Sequence, residues 1–311
     1  VRLLSQGPAF ADHSGFVMSR QFANLVLLIA GAIWGMGFVA QSTAMEAIGP
    51  LQFIGLRFLV ATLFIAPFAW VEMRRAARPL ARRETGGFVT IGLALFAGMV
   101  LQQVGLLYTS VTNSGFLTGL YVVFVPLISL LVLRVRPHPL IWPGVTMTFA
   151  GIWLLAGGQA VDLNRGDLLT IGCAVLWAVQ LILIARFALS SGRPVALAFV
   201  QFAVTAALGL AFGLALEPFA MEAIRAALPE ILFAGIFASG VAFTLQVIGQ
   251  RYTTAPQAAI FLSTESLFAA LFGAILLSER IPSAGYAGGL LIFAAILLVE
   301  VGPTLLARRP A

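Results

Sequence analysis

The sequence predicts an all-α polytopic membrane protein, with ten transmembrane helices built as two inverted five-helix repeats. Three observations carry that expectation. The chain is too apolar for water, it divides into ten apolar runs of spanning length, and its second half repeats its first at a fixed offset.

Of 311 residues, 60% are hydrophobic and only 10% are charged, whereas a soluble domain carries about 25% charged residues. Lipid suits such a chain, because an apolar segment of about 20 residues spans a hydrocarbon core of about 30 Å. The net charge of +6 does not point to nucleic acid. The basic residues sit in short loops between apolar runs, where insertion topology places them. All 18 of them are arginine, which excludes a Walker lysine, a Schiff-base lysine and a Ser-Lys dyad. One cysteine, Cys173, and two histidines, His13 and His138, exclude a disulfide framework and a His/Cys metal cluster. No cofactor and no metal are expected.

Residues 1–21 read as a polar extension. Val1–Val17 lack the apolar stretch of a signal peptide, and Met18-Ser19-Arg20 stands before the first apolar run like a natural start. The ten runs are Phe22–Ala44, Leu51–Val71, Gly86–Leu107, Asn113–Leu133, Leu140–Gly157, Leu168–Leu189, Pro194–Leu216, Glu230–Gln250, Ala255–Leu277 and Ser283–Val301. The fifth is the shortest, and Tyr108 to Thr112 supplies the polar break between the third and fourth. The first repeat is expected over 22–157 and the second over 168–303, with a basic tail at 304–311.

The arginines orient the chain. Arg165, Arg225 and Arg280 fall on one side, Arg57 lies within a span, and the remaining fourteen of the 18 fall on the side of the N-terminus. Basic loops stay cytoplasmic, so both termini are expected in the cytoplasm of a bacterial-type inner membrane. The Arg74–Arg83 cluster reads as a topology signal ahead of a lipid headgroup site.

At an offset of 144 residues the sequence matches itself. Pro50 meets Pro194, Phe58 meets Phe202, Gln102 meets Gln246, Tyr108-Thr109 meets Tyr252-Thr253, and Arg136 meets Arg280. Trp34 meets Trp177 one residue out of step. Five helices per repeat is an odd number, so the halves cross the membrane in opposite senses. Inverted repeats place a ligand site near the midplane between the halves, and rocking around it gives alternating access. Inversion therefore favours transport over a purely structural duplication.

The residues reached here resemble a known family. Leu28–Gly35, ending Trp34-Gly35, resembles the opening helix of the EamA-type drug/metabolite transporters, and Gly55-Leu56-Arg57-Phe58 resembles their second helix. Ser263–Ala270 with Leu277-Ser278-Glu279-Arg280 is similar to their ninth. The resemblance covers nearly the whole chain after Met18 and implies a ten-helix exporter of amino acids and other small metabolites. Its nearest subgroup is the YddG-like amino-acid exporters. Two departures stand out. Val135-Arg136 replaces the Glu-Arg pair that often ends the fourth helix, and Ser266 stands where many relatives have proline.

Few polar groups lie deep in the spans, and each is costly there. Arg57 lies about six residues, roughly 9 Å, into the second helix. It either contacts an anion, snorkels outward, or pairs within the bundle, and the last two are favoured. Trp34 and Trp177 are too deep to be interfacial anchors, so they either stack on a ligand or serve as core. Gln102 and Gln246 suit a polar ligand and interhelical bonding equally well. Glu265, the repeat partner of Tyr121, lies about 15 Å deep in a helix starting at Ala255. An acid at that depth must face water, pair, or take up a proton. It either carries protons, binds a substrate amine, or bonds statically to Tyr121, Arg57 or backbone. Pro126 should kink the fourth helix and either act as a hinge or hold a fixed bend.

The expected substrate-binding residues are therefore Trp34, Gln102, Tyr121, Trp177, Gln246 and Glu265, with Arg57 as an ion-pair or anion contact and Pro126 as a hinge. The expected function is secondary export of small metabolites, amino acids foremost, by alternating access around a central cavity. A passive channel, or an intramembrane lipid-modifying enzyme, is the alternative. The enzyme would need clustered His, Asp or Cys in the spans, so no catalysis is expected. The expected partners are a small-molecule substrate and membrane lipids, with no nucleic acid, and a monomer is compatible with the architecture.

Overall fold

A computed structural model describes residues 18–158, 163–276, 278, 280–281 and 283–307. The polar extension before Met18, the end of the basic tail and Glu279 lie outside the described residues. Among the described residues all regular structure is helical, and nine helices are long and apolar enough to cross a membrane. The tenth span is the shortest apolar run, α6 (Ile141–Leu155), with 15 residues.

The first span is α1 (Arg20–Ala44), started by Ser19, whose hydroxyl accepts the Phe22 amide. The second, α2 (Pro50–Arg75), starts at a proline whose missing N–H costs nothing at a helix start. The third is α3 (Arg82–Gly105). The fourth is split into α4 (Val111–Thr118) and α5 (Tyr121–Leu131), and α6 completes the first repeat. The second repeat runs through α7 (Arg165–Ser191) and α8 (Pro194–Leu216). Short α9 (Met221–Ala226) precedes a composite eighth span: α10 (Leu228–Phe233), a π-helical turn at Ala234–Val241, and α11 (Ala242–Gln250). The ninth span is split into α12 (Ala255–Leu262) and α13 (Thr264–Leu276), and α14 (Ser283–Ala307) ends the chain.

The two splits occupy repeat-related positions. Gly119-Leu120 separates α4 from α5, Ser263 separates α12 from α13, and Gly119 and Ser263 are 144 residues apart. The interruption of the fourth span lies about one and a half turns before Pro126, the residue expected to kink it. Pro126 lies inside α5, and the interruption comes before it. The amides of Leu120, Val122 and Val123 bond to carbonyls three residues back, so the helix tightens there instead of at the proline. In the ninth span the Ser263 and Thr264 hydroxyls donate to the Ile260 and Phe261 carbonyls at 2.7 and 2.8 Å, a local competition that loosens a helix. Ser266 Oγ donates to the Gly115 carbonyl at 3.0 Å and joins the two broken spans.

Helices pack chiefly across the repeats: α2 against α8, α3 against α7, α6 against α14, and α1 against α11 and α13. Without a hydrophobic drive between helices in lipid, close backbone approach is what holds such pairs. At the α2–α8 crossing, a Cβ on Gly55 would meet the Leu210 amide nitrogen at 2.6 Å. The same pair is tied at both ends. Glu217 accepts the Leu51 and Gln52 amides at the start of α2, both at 2.8 Å. Glu72 accepts the Val195 and Ala196 amides at the start of α8, at 3.2 and 2.7 Å. Each carboxylate satisfies orphan amides of the facing helix. These reciprocal caps express the inverted symmetry in hydrogen bonds.

Candidate functional site

At the centre of the bundle lies a cavity of about 40 Å³, room for a few water molecules. Trp34, Arg57, Gln102, Tyr121, Trp177, Gln246 and Glu265 all border it, so the structure brings seven of the eight sequence-selected residues to one place. Pro126 does not border it.

Arg57 is only 2% exposed and does not reach outward. Its Nε donates to Ser239 Oγ at 3.0 Å and its Nη1 to Gln41 Oε1 at 2.9 Å. The guanidinium carbon lies 5.6 and 5.2 Å from the ring centroids of Phe53 and Phe58, within cation–π range. Among the described residues no carboxylate forms a salt bridge with it. A buried cation held by neutral dipoles alone leaves its charge uncompensated, and an anionic ligand group would compensate it.

Glu265 stands in the first turn of α13, where the positive end of the half-helix favours an acid. Tyr121 takes the related place at the start of α5. The two side chains are close enough to interact, yet neither Tyr121 Oη nor Glu265 Oε1 has a hydrogen-bond partner among the described residues. A buried polar atom without a partner carries a desolvation cost of about 1–3 kcal/mol. Gln246 Oε1 is a third such atom on the cavity. Two of the three are acceptors while Glu265 is ionised, which suits a ligand rich in N–H donors.

The two cavity glutamines related by the repeat have different partners. Gln102 Nε2 donates to Thr118 Oγ1 at 3.1 Å. Gln246 Nε2 makes a long contact of 3.4 Å to Gln180 Oε1, and Gln180 Nε2 donates to Gln201 Oε1 at 3.2 Å. Aromatic rings form the remaining wall. Phe243 lies between the tryptophans, with centroid distances of 4.7 Å to Trp34 and 5.8 Å to Trp177. Trp34 Nε1 donates to the Ala238 carbonyl at 2.9 Å, inside the π turn. Such turns recur at functional positions because the wider helix disturbs the regular backbone bonding.

Sequence reasoning missed Gln41, Gln180, Ser239 and Phe243. Gln180 was within reach, because it lies three residues after Trp177 and so shares its helix face. Gln41 near the end of a span reads as interfacial, and Ser239 and Phe243 are ordinary members of an apolar run until the fold places them.

One family model matches the sequence twice, once in each half of the chain. The model of the EamA-like transporter family matches residues 21–157 and again 164–301. The chain belongs to the EamA-like transporter family. Two proteins of Archaeoglobus fulgidus, each named only as an uncharacterized transporter, are similar to this EamA-like protein along nearly all of its length. One is 32% identical over 290 residues, covering 91% of this chain and 87% of the relative. The other is 25% identical over 292 residues, covering 88% and 96%. A solved crystal structure superposes with a TM-score of 0.76 at 20% identity, covering 93% of this chain and 99% of its own, which supports the fold alone. The EamA-like protein is thus a multi-pass membrane transporter of ten spans in two inverted repeats.

Proposed function

We propose that this EamA-like protein is a secondary transporter that exports small zwitterionic metabolites, amino acids foremost, by alternating access around the central cavity, and that it catalyses no reaction. One observation carries the reading: a buried, uncompensated arginine and a carboxyl with an unpartnered oxygen border the same aromatic-walled cavity. Arg57 receives the substrate carboxylate, and Glu265 with Tyr121 and Gln246 receives its ammonium group. Trp34 and Trp177 pack on the apolar part, which favours breadth over tight selection. With room for only a few waters, the described conformation is one that holds no substrate of this size. The family resemblance supports the export direction, and the arginine distribution supports an inner-membrane location with cytoplasmic termini. The repeats are assigned to 22–157 and 168–303, an architecture compatible with a monomer.

Counterflow in proteoliposomes tests the reading. Liposomes loaded with unlabelled amino acids should accumulate labelled ones with saturation. N-acetylated and carboxyl-amidated analogues should compete poorly. Arg57→Met should raise the half-saturating concentration of carboxylate-bearing substrates on the order of a hundredfold, as when one partner of a buried charge pair is removed. Uptake that neither saturates nor shows counterflow would identify a channel and overturn the proposal.

A further inference from the structure

Two small polar clusters related by the repeat join helices at opposite ends of the bundle from the central cavity. On one side Asp167 Oδ1 accepts from Thr109 Oγ1 at 2.8 Å and from Asn113 Nδ2 at 2.6 Å. That joins the start of α7 to the start of α4. On the other side Glu300 Oε2 accepts from Asn24 Nδ2 at 2.6 Å and from Gln257 Nε2 at 2.8 Å. Arg20 Nη2 adds a bond to Gln257 Oε1 at 2.7 Å, so the start of α1, the start of α12 and the end of α14 are joined.

The correspondence is positional. Asn113 and Gln257 are 144 residues apart, the offset of the repeat, and Asn24 and Asp167 are 143 apart, the offset of Trp34 and Trp177. Trp34 and Trp177 follow Asn24 and Asp167 by ten residues, about 15 Å of helix. Tyr121 and Glu265 follow Asn113 and Gln257 by eight residues, about 12 Å. The cavity therefore lies midway between two carboxylate-centred clasps.

The broken spans supply the moving part. Each clasp takes one amide from an eight-residue half-helix, Asn113 from α4 and Gln257 from α12. Each half-helix ends at an interruption, Gly119-Leu120 or Ser263, that lies between its clasp and the cavity. An interrupted ladder is where a helix turns at low cost.

We propose that these clasps are the two gates of the transporter. Asp167 with Asn113 and Thr109 holds one end of the cavity shut, and Glu300 with Asn24 and Gln257 holds the other. α4 swings about Gly119-Leu120 and α12 about Ser263, so that one end opens while the other stays latched. The described state has both latched. The proposal rests on the transporter reading but not on any particular substrate.

Site-directed labelling tests it on the full chain in membranes. A reporter cysteine replaces Met99 on the cavity wall in a Cys173→Ser background, and a membrane-impermeant maleimide is applied to right-side-out and inside-out vesicles. Asp167 also caps the start of α7, accepting the Asn164 amide on Oδ2 at 2.9 Å; Asn113→Ala leaves that cap intact and should raise labelling from the Asp167 face roughly tenfold, the population shift expected from losing one charge-assisted hydrogen bond. Labelling from the Glu300 face should fall. Gln257→Ala should do the reverse. Asp167→Asn and Glu300→Gln keep shape and carry the same paired expectation should an alanine variant fail to fold. Unchanged labelling, or a rise from both faces together, overturns the gate assignment, and so does failure of all four variants to fold. No substrate enters the assay, so a failed amino-acid assignment leaves the labelling result standing, and the converse holds.

Discussion

Among single residues, Glu265 carries the sharpest expectation. Its carboxyl is buried near the middle of the membrane, 4% exposed, beside a tyrosine with which it closes no hydrogen bond of ordinary length. A static anchor would have its oxygens satisfied, whereas a group that exchanges partners during transport keeps one free. Glu265→Gln keeps the shape and most of the bonding capacity while removing both charge and titration. Counterflow of amine-bearing substrates should drop by at least about tenfold, as for loss of a charged hydrogen-bond partner. Any dependence of the remaining transport on pH between the two faces should disappear. Wild-type counterflow and pH response in the folded variant would leave Glu265 a structural residue. Arg57 is the complementary case. Its cost in lipid is met by Gln41, Ser239 and two phenylalanine faces, which orient the guanidinium without neutralising it.

Pairs of helices hold the fold by close approach, and the glycines that permit it can be told from those that do not. Gly55 sits against the backbone of α8, where a methyl group would meet an amide nitrogen that cannot withdraw. Gly55→Ala should destabilise the protein by about 1–3 kcal/mol, as overpacking does. The change is read as a lower midpoint of thermal unfolding in detergent. Gly86 near the start of α3 has no neighbour within 4 Å of an added methyl group. Gly86→Ala should leave the midpoint unchanged or raise it slightly, because alanine loses less backbone entropy in a helix. Equal effects of the two substitutions would remove the α2–α8 crossing from its place as the fixed seam of the bundle. That seam, capped reciprocally by Glu72 and Glu217, is the natural counterpart to the half-helices α4 and α12 that are proposed to move.

For the whole molecule, topology and charge belong together. The fourteen-to-three arginine bias in the sequence is the ground for the proposal that both termini and the Arg74–Arg83 loop share one side. A C-terminal fusion to a reporter active only outside the cytoplasm should remain silent, and the same reporter placed after Ala47 should be active. Strong activity from the C-terminal fusion would invert the assignment, and the Asp167 and Glu300 gates would exchange their outer and inner roles. The loop itself is ordered by the Arg78–Glu84 pair, whose contact is 2.6 Å, and by Arg74 over Trp70 at 4.7 Å. Those contacts suit a loop fixed at the membrane surface.

What the sequence by itself determined are the properties that act along the chain. Hydropathy counts residues against bilayer thickness, so the ten spans could be read directly, down to the short fifth. Arginine placement acts at insertion, before the helices pack, so orientation could be proposed without a fold. Duplication leaves a register, and that register selected Trp34 with Trp177 and Gln102 with Gln246, all of which border the cavity. Tertiary structure decided whatever depends on helices far apart in sequence meeting at a given depth. Arg57 turns inward because Ser239 and Gln41 arrive from two other spans. The fourth span is interrupted at Gly119-Leu120, ahead of Pro126, because a proline removes one donor but does not say where the turns before it will tighten. The π turn, the clasp at Glu300 and the unpartnered oxygen of Glu265 have no one-dimensional signature. Each is a balance between backbone bonding and side chains delivered by distant helices, and that balance exists only once the bundle has closed.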